Sequence, residues 1–370
     1  MSKRYLIKSF IKNNVVLLIA TVCAIISCFF VTPDAQYIEY FDFSTLVCLL
    51  GMSVVISALK NIKFFRILAR KIIGLFKTTR SAITALVVIT YVASMLIAND
   101  MALITFLPLG YFVLHSAQKE EYMAYTFTMQ TISANLGGML TPFGNPQNLY
   151  LYNYFSIAPS EFFAIMILPT LFAVALIAVC CIVIRSEKIT AVEDMEETLN
   201  KPRAIIYFIL FAYMIVLVFR LVPYWTGLFV IPVILVMDRK ALLKVDYALL
   251  LTFCAFFVFT GNLARIPEVD AFFRSLLEWN VMLTGVLSCQ IISNVPSAAL
   301  LSGFTQNYSA LLVAVNIGGC GTLISSMASL ISYKSFSLYR PKEKLKYLLL
   351  NGALNFGFLI ILTLLCLFVL

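Results

Sequence analysis

Leu136–Tyr150 reads LGGMLTPFGNPQNLY, and Asn316–Ser326 reads NIGGCGTLISS. Each stretch interrupts an apolar run with residues that cannot carry a helix onward. The first holds Gly137, Gly138, Pro142, Gly144 and Pro146, the second Gly318, Gly319 and Gly321. The residues leading into the two breaks also match: Ala134-Asn135-Leu136-Gly137-Gly138 against Val315-Asn316-Ile317-Gly318-Gly319. Two interrupted helices with the same Asn-x-Gly-Gly entry predict a chain built from two related halves.

Composition sets the solvent in which those breaks sit. Of 370 residues, 62% are hydrophobic and only 12% charged, against roughly 45–50% and 25% in soluble domains. No soluble fold hides that much apolar surface, so most of the chain faces lipid. The net charge of +9 does not indicate nucleic acid, because the basic residues sit in short loops between apolar runs. Nine cysteines contain no Cys-x-x-Cys pair and lie mostly in apolar stretches, as small core residues rather than a metal or disulfide framework.

Outward from the breaks, the halves keep the same order of features. Asp42-Phe43-Ser44 opens one span and Asp246-Tyr247-Ala248 another. Each span leads to a charged amphipathic arm, Lys60–Lys77 or Arg265–Glu278, and each arm to a hairpin. The first hairpin joins Ser81–Ala98 to Met101–Leu114 through Asn99-Asp100. The second joins Val281–Ile292 to Ser297–Phe304 through Ser293-Asn294-Val295-Pro296. A spanning helix needs about 20 apolar residues, so the second pair predicts a re-entrant hairpin whose polar tip stops at mid-depth. Val15–Val31, Phe43–Leu59, Phe162–Ile184, Ala204–Leu221, Val245–Gly261 and Tyr347–Leu370 read as spans, and Thr226–Met237 as a short one.

With the N-terminus in the cytoplasm, 24 of the 27 Lys and Arg fall inside and only Arg220, Arg265 and Arg274 outside, as the positive-inside rule requires. The C-terminus is then external. The cluster Lys3, Arg4, Lys8 and Lys12 ahead of Val15–Val31 imitates a secretion signal, but no small-x-small site follows, so an uncleaved first helix is expected. This orientation puts the two arms on opposite sides, which makes the repeat inverted. The expected fold is an all-α polytopic membrane protein of two inverted-topology repeats with re-entrant hairpins and broken transmembrane helices. Its parts are an N-terminal segment with the first helix (1–42), repeat 1 (43–160, broken helix 122–155), connecting helices with a linker at 185–203 that carries Glu187, Glu193, Asp194, Glu196 and Glu197 (161–244), repeat 2 (245–334, broken helix 309–333) and a C-terminal helix (335–370).

Inverted repeats whose broken helices meet at the midplane are a mark of secondary transporters. The candidate substrate and ion site is Asn99, Asp100, Asn135, Thr141, Gly144, Asn145, Asn148, Ser293, Asn294, Asn316, Gly318, Gly319 and Thr322. Freed carbonyls at a break can ligate Na⁺, and helix N-termini can hold an anion; the Na⁺ candidates lie near Asn99, Asn145, Asn294 and Asn316. Plainer readings stand beside these. Gly-Gly in a membrane helix also serves close packing, Asp100 is either a structural partner or a proton or cation carrier, and Asp42, Asp246, Thr78, Thr79 and Ser81 suit helix caps. Enzyme chemistry finds little support: His115 is the sole histidine, so neither HExxH nor a Ser-His-Asp triad exists, and GxxxxGK[ST] is absent.

The strings ANDMALITFLPL, TPFGNPQNLYLY, CQIISNVPSAALL and NIGGCGTLISSMASLISYK together resemble the citrate-transporter-like branch of the ion transporter superfamily. That branch holds divalent anion:sodium symporters, the arsenite-pump membrane subunit and certain sodium/proton antiporters, and short bacterial anion permeases carry the same GNPQN and SNVPS strings. The resemblance runs from Phe43 to Lys334. It implies a homodimer with a scaffold and a moving part, an elevator-like displacement, and a substrate enclosed by both tips and both breaks, with Na⁺ or H⁺ as coupling ion and no other cofactor. The family's dicarboxylate symporters carry Ser-Asn-Thr at the tips. Here the tips read Ala98-Asn99-Asp100 and Ser293-Asn294-Val295, so dicarboxylate recognition does not carry over directly. The reading is an ion-coupled transporter of a small solute, an anion first, with a cation/proton antiporter or arsenite-type efflux permease using Asp100 as the alternative, and an intramembrane enzyme a lesser one.

Overall fold

The computed structural model describes residues 14–73, 76–189 and 199–369. Lys3, Arg4, Lys8 and Lys12 at the N-terminus, and Glu193, Asp194, Glu196 and Glu197 of the linker, lie outside the described residues. Among those described, regular structure is helical apart from one isolated β-bridge, Thr78 to Lys188. In chain order the α-helices are α1 (Val15–Phe30), α2 (Phe43–Asn61), α3 (Phe64–Ile73), α4 (Thr79–Leu96), α5 (Asn99–Ser116), α6 (Met123–Gly137), α7 (Pro146–Tyr154), α8 (Pro159–Ile182) and α9 (Lys201–Val218). There follow α10 (Val230–Met237), α11 (Arg239–Leu242), α12 (Tyr247–Ala264), α13 (Pro267–Trp279), α14 (Val281–Ile292), α15 (Asn294–Leu301), α16 (Tyr308–Ile317), α17 (Met327–Tyr339) and α18 (Lys344–Val369).

Local chemistry explains where these helices start. The Asp42 carboxylate accepts from Thr45 N at 3.0 Å and opens α2, and Asp246 accepts from Leu249 N at 3.0 Å and opens α12. Thr78 and Ser81 form a reciprocal capping box at α4, which satisfies backbone donors that a helix start leaves free. Proline stands at the first position of α7, α8 and α13, where its missing N–H costs nothing.

Among the described residues six helices are long and apolar enough to cross a membrane, or seven if α13 and α14, bent by 117° at their junction, count as one broken span. Outward faces are apolar: α8 exposes Ile167, Leu171, Val174, Val179 and Ile182, as a surface against lipid requires. The protein is an all-α polytopic membrane protein.

The two hairpins differ in reach. Helices α4 and α5 have 18 residues each, about 27 Å at 1.5 Å per residue, close to the ~30 Å of the hydrocarbon core. Helices α14 and α15 have 12 and 8 residues, about 18 and 12 Å, too short to cross. The second arm of each hairpin starts earlier than the sequence suggests, at Asn99 rather than Met101 and at Asn294 rather than Ser297. Asn99 and Asp100 are not the connector but the first turn of α5, and Asn294 likewise starts α15. In both cases the Asn side-chain oxygen accepts the next residue's N–H, from Asp100 or Val295, at 2.9 Å. A free first-turn donor is thereby satisfied.

Packing is crosswise between the halves. Hairpin α4–α5 lies on α6 of its own half and, through α5, on α17 of the other. Hairpin α14–α15 lies on α16 of its own half and, through α15, on α7 of the other. Each hairpin is thus held by one segment of each broken helix, which brings all four interruptions to one place.

Candidate functional site

Asn135, two residues before the end of α6, is the node of that place. Its Oδ1 accepts from Asn99 Nδ2 at 3.0 Å. Its Nδ2 donates to the Gly319 carbonyl at 3.1 Å and to Ser326 Oγ at 3.0 Å. Its backbone carbonyl accepts from Asn145 Nδ2 at 3.2 Å. Asn145 Nδ2 also donates to Asn316 Oδ1 at 3.1 Å, and Asn316 Nδ2 donates to Asn148 Oδ1 at 2.5 Å and to the Leu312 carbonyl at 2.8 Å. Asn148 Nδ2 faces the carbonyls of Gly138, Met139 and Thr141 at 3.1–3.2 Å. The second tip joins through Ser325, whose carbonyl accepts from Asn294 N at 2.9 Å and Ser293 Oγ at 3.3 Å. A methyl group at Gly319 would lie 3.1 Å from Asn294 Nδ2, so that amide also borders the cluster. Every asparagine named is buried.

The side chains hydrogen-bonded in this network are all neutral amides and hydroxyls. Polarity also comes from the backbone. Helices α5, α7, α15 and α17 begin here, and α4, α6, α14 and α16 end here. Helix starts present N–H groups and the positive end of the dipole, whereas helix ends present carbonyls. One small volume can therefore meet either sign of charge without a charged side chain. Asn145 shows how the sequence is spent locally. It stands at the N-cap of α7 but makes no capping bond, although asparagine is among the preferred caps. Its amide instead reaches across to Asn135 and Asn316, and its buried Oδ1 has no partner, in the space left by the missing side chain of Gly138.

Comparison with known proteins follows the same line. The citrate transporter family profile, CitMHS, matches residues 5–310. The chain belongs to the citrate transporter family. An uncharacterized transporter of Methanocaldococcus jannaschii is 32% identical over 79% of this chain and 81% of its own length. Inner membrane protein YbiR of Escherichia coli K12 is 27% identical over 79% of this chain and 80% of its own. The silicon efflux transporter LSI3 of Oryza sativa subsp. japonica is 34% identical over a shorter stretch, 33% of this chain and 24% of its own length. This member of the citrate transporter family is a multi-pass membrane transporter for a small molecule or ion, and not an enzyme.

Not every residue singled out in the family member's sequence points into the network. Thr141 Oγ1 donates to the Met95 carbonyl at 2.6 Å and braces the end of α4. Gly144 lets its backbone approach Gly138, whose carbonyl would lie 2.4 Å from any added Cβ. Gly318 packs against Cys289 of α14. Thr322 bonds to Gln290, N to Oε1 at 2.9 Å and Oγ1 to the backbone carbonyl at 3.1 Å. Asp100, in the first turn of α5, is half-buried and leaves its buried Oδ1 without a partner. Gln290, part of the string CQIISNVPSAALL but not of the candidate site, also reaches the second break. Its Nε2 donates to the carbonyls of Gly318 at 2.9 Å and Cys320 at 3.1 Å and so holds the second break open. A lone glutamine inside the apolar run Val281–Ile292 was the signal available.

Ion pairs tie distant segments together outside the spans. Glu120, between α5 and α6, contacts His115 and accepts from Arg340 Nη1 at 2.5 Å; these partners, His115 foremost, hold its carboxyl below the usual glutamate range. Glu187 of the central linker contacts Lys119, which lowers its carboxyl in turn.

Proposed function

We propose that this chain is a secondary active transporter of a small oxygen-rich anion, a carboxylate or inorganic oxyanion. It couples to Na⁺ or H⁺ and alternates access by an elevator-like motion of a moving part against a scaffold. The convergence of both tips and both breaks in one buried amide network carries this reading. The four helix starts suit an anion, while the four helix ends and the unpartnered Asn145 Oδ1 suit a coupling cation. Because no charged side chain is bonded within the network, a polyanion would be buried without a matching cation at high cost. A monoanion or a weak oxyacid fits better than trivalent citrate. On this reading Asn99, Asn135, Asn145, Asn148, Ser293, Asn294, Asn316 and Gly319 line the site, and the transporter works as a homodimer.

A second reading is favoured by Asp100, whose buried oxygen lacks a partner. A carboxylate so placed suits a proton or cation carrier, which fits antiport or efflux of a weak oxyacid; the relative named a silicon efflux transporter makes silicic acid a sensible probe. Flux in proteoliposomes separates the two. Citrate, succinate, phosphate, arsenite and silicic acid are each tested with a Na⁺ gradient, a proton gradient and neither. Uptake of one solute in the same direction as Na⁺ or protons supports the first reading; exit of an oxyacid or cation in exchange for entering protons supports the second. No gradient-dependent flux of any solute would overturn both. Asp100→Asn is expected to abolish proton-driven exchange while the protein stays folded, and retained pH-dependent exchange would remove Asp100 from that role.

A further inference from the structure

Helices α4 and α8 leave an apolar groove between them, a cavity of about 400 Å³ lined by Thr84, Val88 and Tyr91 on one wall and Val174, Ile177 and Cys181 on the other, with Arg80 at one end. The groove opens outward, since Val88, Val174 and Ile182 are 48%, 43% and 66% exposed. It contributes no residue to the asparagine network.

We propose that this groove holds one anionic phospholipid, an acyl chain along the groove and the phosphate at Arg80. Length is the first argument. Arg80, Thr84, Val88 and Tyr91 follow one face of α4 at helical spacing, so the groove runs about 16 Å down the helix at 1.5 Å per residue. That is long enough for most of an extended acyl chain. Charge is the second. Arg80 Nε donates to the Ile184 carbonyl at 2.6 Å, which pins the guanidinium at the mouth. Its Nη groups form no hydrogen bond among the described residues. Exposed Lys77, Arg185 and Lys188 stand around the same mouth, brought together by the Thr78–Lys188 bridge and by Ile189 N donating to the Lys77 carbonyl at 3.1 Å. Among the described residues, the nearby carboxylate of Glu187 is engaged by Lys119 and Tyr122. An apolar channel with Arg80 at its end and three more exposed cations on the adjoining segments is complementary to a chain that ends in a phosphate diester.

The test is native mass spectrometry of the delipidated full-length protein. It is incubated with phosphatidylglycerol or with phosphatidylcholine of the same acyl chains. The wild type should retain one phosphatidylglycerol at least tenfold more strongly than phosphatidylcholine. Arg80→Gln should erase that preference, and Ala178→Phe, which fills the groove from an outward-facing position, should reduce retention of both lipids. Melting temperatures of the variants establish that each is folded. Equal retention of the two lipids by the wild type would overturn the proposal, as would unchanged phosphatidylglycerol retention in both variants. Displacement of the lipid by glycerol phosphate alone would also overturn it, because the groove would then contribute nothing.

Discussion

Asn135 concentrates more of the site than any other single side chain. Truncation to alanine removes one accepted and two donated hydrogen bonds, and leaves Asn99 Nδ2 buried without its acceptor, while the Gly319 carbonyl keeps only Ser325 Oγ. With each such loss worth about 1–3 kcal/mol, Asn135→Ala should destabilise the protein by about 2–4 kcal/mol. A clear fall in melting temperature and loss of flux are expected, and an unchanged melting temperature would show that the network carries no stability. Ser293 makes a different point. It joins α14 to α15 with φ 78° and ψ 157°, a region essentially reserved for glycine and costing about 1–3 kcal/mol for other residues. Ser293→Gly should therefore hold or raise the melting temperature, while Ser293→Ala keeps the strained backbone, loses the bond to Ser325 and should lower it. An alanine variant more stable than the glycine variant would refute the strain.

Broken helices depend on where glycine permits close approach. At Gly144 a Cβ would meet the Gly138 carbonyl at 2.4 Å and Thr141 Oγ1 at 2.7 Å; the first of these is backbone and cannot swing away. Gly144→Ala should cost about 1–3 kcal/mol. Gly352, inside α18, has nothing within 4 Å of its would-be Cβ, so Gly352→Ala should be neutral or stabilising by up to about 1 kcal/mol. Thermal melts of the two variants side by side check the distinction, which rests on geometry and not on glycine content. The Asn-x-Gly-Gly strings were readable as breaks from residue types alone. That Gly318 serves packing while Gly319 borders the second tip was not, because adjacent glycines carry no side chain to tell them apart in the sequence.

Across the whole molecule, Glu120 links the α5–α6 junction to Arg340 beside α18. Its lowered carboxyl means that the folded state favours the charged form. The stability from this pair is present above the ordinary glutamate value of 4.5 and is lost as pH falls through the lower folded value. Surface pairs are worth little, so Glu120→Gln should lower the melting temperature by less than about 3 °C at neutral pH. The gap should close below pH 4.5 and shrink in high salt. A gap that persists in acid would assign the effect to packing instead.

Hydrophobicity, hairpin punctuation and the paired strings follow from local composition, so the sequence by itself determined that this is an all-α membrane protein with interrupted helices in two similarly ordered halves. Asn99, Asn135, Asn145, Asn148, Asn294 and Asn316 could be named there, since an amide in an apolar run is costly and needs a reason. Which amide bonds to which was decided only by tertiary structure. Bonds such as Asn145 to Asn316 join positions far apart in the chain, and hydrogen bonds depend on direction as well as distance. The same holds for Thr141, Gly144, Gly318 and Thr322, which support the network from outside, and for Gln290, whose three side-chain bonds to the second break exist only once α14 is folded against α16. The groove between α4 and α8 is likewise a property of packing: its walls are ordinary lipid-facing residues until two helices set them side by side.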